Sequence, residues 1–186
     1  MKNATLGIFA LILFLNINLL AAPSRVMIIR HAEKPANDSD PDLSPDGYKR
    51  AHALTELFNI HPEYASKGLP SHIFAAKYVP GQNANRAIET ITPLAKVLGL
   101  PVEIPNVGSE TQELSDRILN NHKYDGKVVL ISWTHGNIPK LANALGGNCA
   151  KKWDGSVFDR VWMLEYSDSE IECSDLPESV LPGDSN

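Results

Sequence analysis

This sequence predicts an α/β fold with a mostly parallel central sheet, covered by helices on both faces in a three-layer α/β/α arrangement. Three observations predict it. Short continuous apolar runs at 26–29 and 127–133 read as strands buried on both faces, as parallel sheets require. Stretches with apolar residues at helical spacing lie between such runs. Cap and turn residues, Ser44-Pro45, Gly99 and Gly146-Gly147, punctuate the alternation. The chain has 186 residues, 43% hydrophobic and 21% charged, which suits one globular domain and excludes a disordered chain or a polytopic membrane protein. A net charge of −5 excludes a general nucleic-acid binder, which needs a basic face.

The elements follow in order. The first strand, 26–29, ends in Arg30-His31. Ser44 and Pro45 open a helix whose Gly47, Ala51, Leu54 and Phe58 share one face. Residues 72–76 read as a second strand. Arg86 opens a helix carrying Ile88, Ile91, Ala95 and Leu98; Pro93 is expected to kink it or to mark its true start, and Gly99 ends it. A short strand is expected within 101–104, and a helix from Glu110 carrying Leu114 and Ile118. The strand 127–133 runs into Thr134-His135-Gly136-Asn137, followed by a helix with Ile138, Leu141, Ala142 and Leu145. A last long strand spans 157–166, and a turn at 167–170 returns the chain as an edge strand through Cys173. From Pro177 the tail is polar and expected to be loose, so the domain is assigned to 25–176 and the flexible tail to 177–186.

The first 24 residues stand outside this pattern. Lys2, an apolar run from Leu6 to Leu20 and Ala21-Ala22-Pro23-Ser24 read as a secretory signal peptide. The run is shorter than the ~20 residues that span a bilayer. An uncleaved anchor is the alternative. Export implies a periplasmic or secreted protein, with no stable membrane insertion once the signal is cut. In an oxidising compartment the two cysteines, Cys149 and Cys173, are expected to be joined, a closure for which chain entropy suggests about 3 kcal/mol. Two free buried thiols are the alternative.

Ligands in such sheets bind at the carboxyl ends of the strands. Arg30 and His31 leave the first strand there, and His135 leaves the clearest buried strand. Arg86 opens a helix, where backbone N–H groups favour an anion. Two His and two Arg on one rim suit a tetrahedral dianion, because the guanidinium fork matches phosphate oxygens. Taken singly, each has a plainer reading as a surface or helix residue; the weight lies in the constellation.

The words around these residues carry a resemblance. Arg30-His31-Ala32-Glu33 resembles the Arg-His-Gly-Glu signature of the histidine phosphatase (phosphoglycerate mutase-like) superfamily. Residues 43–51, Leu-Ser-Pro-Asp-Gly-Tyr-Lys-Arg-Ala, resemble that family's Leu-Ser-x-x-Gly-x-x-Arg-Ala segment. Arg86-Ala87-Ile88-Glu89-Thr90 is similar to its Arg-Ala-x-x-Thr segment, and His135-Gly136 to its second motif. The four occur in the family's order across 25–166.

The resemblance implies a phosphatase acting through a phosphohistidine on His31, with Arg30, Arg86 and His135 holding the phosphoryl oxygens. It implies no metal and no cofactor. A carboxylic acid would serve the leaving oxygen. In one branch of the family a Glu several residues after a Val-Glu pair plays that role, and the resemblance implies Glu110, after Val102-Glu103, for it; Glu113 is one turn further, and Glu33 belongs to the signature as an orienting residue. The plainer reading of Glu110 is charge stabilisation of its helix start. Lys34 and Lys77 are further candidates for substrate contact, or solvated lysines. Ala32 stands where the family has Gly and is expected to narrow the pocket floor. The stretch from Ala76 to Arg86 is longer than the common form, which could displace Arg86. The partner implied is a phosphorylated small molecule, glycan or protein. Two rival readings remain: a catalytically silent phosphate-binding module of the same fold, and a metal hydrolase using His31 and His135.

Overall fold

The computed structural model describes residues 22–37, 39–79, 85–105, 111–167 and 169–185. The signal-peptide assignment lies almost wholly outside the described residues, as does Glu110. Among the described residues no helix is long and apolar enough to cross a membrane.

Six strands form one sheet in the order β3-β2-β4-β1-β5-β6. Strands β1 (Arg25–Arg30), β2 (His72–Ala75), β3 (Val102–Glu103) and β4 (Val128–Trp133) run parallel, while β5 (Arg160–Tyr166) and β6 (Ile171–Pro177) are antiparallel. β1 and β4 are the centre, and every residue of both is buried. Their continuous Val, Ile and Leu runs are what a strand covered on both faces needs. Their register is in step, Arg30 opposite Trp133, and the His31 N–H donates to the Trp133 carbonyl at 2.9 Å. That register sets His31 and His135 on one rim.

The helices are α1 (Pro45–Ala53), α2 (Leu57–Ile60), α3 (Arg86–Leu98), α4 (Thr111–Leu119) and α5 (Ile138–Ala144). Ser44 caps α1 as expected, its hydroxyl accepting from the Gly47 N–H at 3.0 Å. The expected face of Gly47, Ala51, Leu54 and Phe58 is buried, although a 3-10 turn at Leu54–Glu56 interrupts the helix. Gly99 closes α3 in the left-handed conformation, φ 67°.

Four expectations are corrected. Pro93 lies in the middle of α3, not at its start; its missing N–H leaves the Glu89 carbonyl without a helical donor. The buried face of α3 is Ala87, Thr90, Ile91, Leu94 and Ala95, so Ile88 and Leu98 are only partly covered. β5 begins at Arg160 rather than 157, because the Val157 carbonyl is taken by the Arg30 guanidinium and the Trp153 indole. The C-terminal segment, expected to be loose, is tied down. Arg50 donates to Glu178 (3.1 Å) and Asp184 (2.8 Å), and Glu178 is fully buried. Asp184 in turn accepts from the Val180 and Leu181 N–H groups, and Asp159 from the Ser185 N–H.

At the other end, residues 22–24 are tied to the domain. The Ala22 carbonyl accepts from Gly126 at 2.8 Å, Ser24 donates to Lys127 at 2.9 Å, and Pro23 is buried. Cys149 and Cys173 are joined, Cα–Cα 5.3 Å, pinning the segment after α5 to the edge strand β6.

Candidate active site

The carboxyl ends of β1 and β4 and the start of α3 bring Arg30, His31, Arg86 and His135 together. Arg30, Arg86 and His135 all lie close enough to act electrostatically on His31. The imidazole of His31 is 6% exposed, and its Nδ1 lies 2.7 Å from the Ala32 carbonyl. A carbonyl only accepts, so Nδ1 carries the hydrogen and Nε2 keeps its lone pair. Burial lowers the pKa of His31 to about 4; the Ala32 carbonyl works against this, and Arg30, Arg86 and His135 add to it. At neutral pH the ring is uncharged.

Arg30 is 1% exposed. Its Nη1 donates to the carbonyls of Gly155 (2.8 Å) and Val157 (2.9 Å), and its guanidinium carbon sits 3.7 Å from the centroid of the Phe158 ring. Its buried Nε–H has no partner among the described residues. Burial lowers its pKa to about 10, with Glu33 and Asp154 opposing and Arg86 reinforcing. Arg86 donates through Nε to the Asp42 carbonyl at 3.0 Å and through Nη2 to the Asp40 carbonyl. The longer stretch before Arg86 does not carry it away from the site: its charge still acts on both Arg30 and His31. The pKa of His135 is lowered by partial burial, then by Arg30 and Lys34. Its buried Nδ1 has no partner among the described residues.

The scaffold around these groups explains their placement. The Ala32 N–H donates to Thr90 Oγ1 at 2.8 Å, and that hydroxyl donates to the Arg86 carbonyl at 2.7 Å, so α3 is bolted to the loop leaving β1. Glu89 accepts from the Leu43 N–H (2.8 Å) and the Tyr48 hydroxyl (2.9 Å), tying α3 to α1. The methyl of Ala32 clusters with Leu43 and Ala51, facing α1. It therefore does not narrow the pocket floor, against expectation. Glu33 accepts from Arg50 at 2.9 Å, which turns its carboxylate toward α1 and the C-terminal segment.

Of the other candidates, Glu113 stands exposed in the first turn of α4, and Lys34 is exposed beside the loop leaving β1. Sequence reasoning missed the strap of residues 153–158 whose carbonyls aim Arg30, and it missed Phe158. A backbone carbonyl leaves no side-chain signature, and Phe158 read as part of a strand. Thr90 was visible inside its motif, but its bond to Ala32 was not.

No protein-family model matches the chain, and neither does any curated protein sequence. Solved structures do. The chain is similar to the protein histidine phosphatase SixA complexed with tungstate, at 14% identity and TM-score 0.58, over 83% of this chain and 97% of that one. It is similar to a phosphoglycerate mutase from Bacillus anthracis, at 12% identity and TM-score 0.57, over 87% and 96%. A mycobacterial glucosyl-3-phosphoglycerate phosphatase with inorganic phosphate matches at 14% identity and TM-score 0.52, over 82% and 95%. Likeness at these identities speaks for the fold: the chain has the phosphoglycerate mutase-like architecture.

Proposed function

We propose that the chain is a metal-independent phosphomonoester hydrolase working through a covalent phosphohistidine on His31. The observation that carries this reading is the state of that ring: buried, uncharged, with Nδ1–H held by the Ala32 carbonyl, and surrounded by Arg30, Arg86 and His135. The buried Nε–H of Arg30, which meets no acceptor among the described residues, supports it, since a charged donor of this kind is suited to an anion's oxygen. Relatives in fold include phosphatases seen with phosphate and with tungstate, a phosphate-shaped anion.

The His31 Nε2 lone pair attacks phosphorus, the N–P bond forms, and the bond to the leaving oxygen breaks. Arg30 and Arg86 offset the charge on the phosphoryl oxygens, and His135 donates a hydrogen bond to one of them. Glu110 is the proposed proton donor to the leaving oxygen. Water then attacks phosphorus and returns a proton to that carboxylate, and the N–P electron pair goes back to His31. In this reading the protein is exported, and the Cys149–Cys173 bond suits an oxidising compartment.

The test is hydrolysis of 4-nitrophenyl phosphate in the presence of chelator. Turnover is expected to survive the chelator, to be inhibited by vanadate and to vanish in His31→Ala. The kcat/KM of the free enzyme should hold through mildly acidic pH and fall as the pH drops through about 4, because a protonated His31 has no lone pair to give. A folded wild-type protein that turns nothing over but is stabilised by phosphate would sink the hydrolase reading and leave the silent binding module.

A further inference from the structure

A cavity of about 700 Å³ adjoins Arg30, His31 and His135, and its lining is unlike the phosphate end. It is continuous with that end through two residues. Gly155 holds Arg30 by its carbonyl, and a Cβ built on it would lie 3.6 Å from His135 Nε2; Phe158 stacks on Arg30 and sits 6.1 Å from His31, centroid to centroid. A phosphomonoester facing His31 Nε2 would have this space open to its leaving group.

The chemistry of the walls selects the leaving group. Phe158, Pro35 and Pro45 supply flat, apolar surface. Charged groups share the lining: Lys34, whose charge acts on His135, and the carboxylates Glu33 and Asp46. Glu33 has one oxygen held by Arg50. Asp46 stands on the first turn of α1, and its pairing with Lys49 keeps it ionised by lowering its pKa. A substrate carboxylate or second phosphate placed there would stand against these two carboxylates, a like-charge cost that a neutral leaving group avoids.

Resting on the hydrolase reading, we infer that the preferred substrate class is a monoester whose leaving group is a flat ring without negative charge, seated against Phe158. Leaving groups that carry a carboxylate or a second phosphate are disfavoured by Glu33 and Asp46.

Non-hydrolysable phosphonates test this without requiring turnover. Calorimetric Kd values on the whole protein would be compared for methylphosphonate, phenylphosphonate and 2-carboxyethylphosphonate. Phenylphosphonate is expected to bind at least tenfold tighter than the carboxyethyl compound, with methylphosphonate between them. Phe158→Leu should reduce the phenyl-to-methyl ratio to within threefold. Asp46→Lys should narrow the gap between methyl and carboxyethyl compounds at least threefold. Equal affinity of the wild type for the phenyl and carboxyethyl compounds would overturn the inference while leaving a phosphate site in place. Failure of all three, and of inorganic phosphate, to bind would overturn the site itself, and the inference with it.

Discussion

Arg30 and Arg50 are both buried arginines, 1% and 5% exposed, and they have opposite surroundings. Arg50 is met by three carboxylates, Glu33, Glu178 and Asp184. Burial would lower its pKa, but the bond to Asp184 and the charges of Glu178 and Glu33 raise it overall. Arg30 is met by two carbonyls and a phenylalanine face, and its pKa falls to about 10. A buried guanidinium costs several kcal/mol in desolvation, which a carboxylate offsets and a carbonyl offsets only in part. Arg50 is thus a finished structural hub. Arg30 is held in place with its charge left open, the condition for receiving an anion. One residue type serves opposite ends because its partners differ.

The contrast can be broken most forcefully at Arg50. Arg50→Met would leave Glu178 and Asp184 buried without their cation, and about 3–5 kcal/mol of stability should be lost. Urea unfolding would report this, and limited proteolysis should cut within residues 178–185 of the variant. A loss below about 1 kcal/mol would mean the hub is not holding the segment.

Arg30→Lys should behave in the reverse sense. A lysine keeps the charge but loses the planar fork, so kcat on the aryl phosphate should fall on the order of 10²–10³-fold with little change in unfolding free energy. A stability loss equal to that of Arg50→Met would erase the distinction between the two arginines.

The smallest effect is expected at Glu178. Its complete burial raises its pKa well above that of a free carboxyl, in spite of Arg50. The unfolded chain ionises this group at about 4.3, while the folded one holds its proton to higher pH. Stability is therefore lost as pH rises above that value, until the folded group also ionises. Glu178→Gln cannot titrate, so its stability relative to the wild type should improve as pH climbs from about 4 toward neutrality. A gap between variant and wild type that stays constant with pH would place the wild-type proton elsewhere in the cluster.

Much of the fold was legible because its causes are local. The apolar runs of β1 and β4, the Ser44-Pro45 start of α1 and the Gly99 stop of α3 each record a nearest-neighbour preference. The clustering of Arg30, His31, Arg86 and His135 followed from one further rule, that parallel strands present their carboxyl ends on one rim. Other features rest on contacts between distant residues and left no local trace. The carbonyls of Gly155 and Val157 hold Arg30 across more than 120 positions of sequence, and Arg50 reaches Glu178 across 128. The polar composition after Pro177 suggested a free tail because hydropathy counts polar groups without their partners. Ala32 suggested an intrusion into the pocket because sequence does not say which way a Cβ points.

What followed from the chain alone was the strand-helix alternation, the rim and the residue types on it, all of them set by periodicity, capping and β-strand burial. What required the folded molecule was the electrostatic state of each group: which arginine is neutralised, which imidazole nitrogen is free, and which wall carries the carboxylates. Those depend on distances between residues far apart in sequence, and charge in a desolvated interior depends steeply on distance.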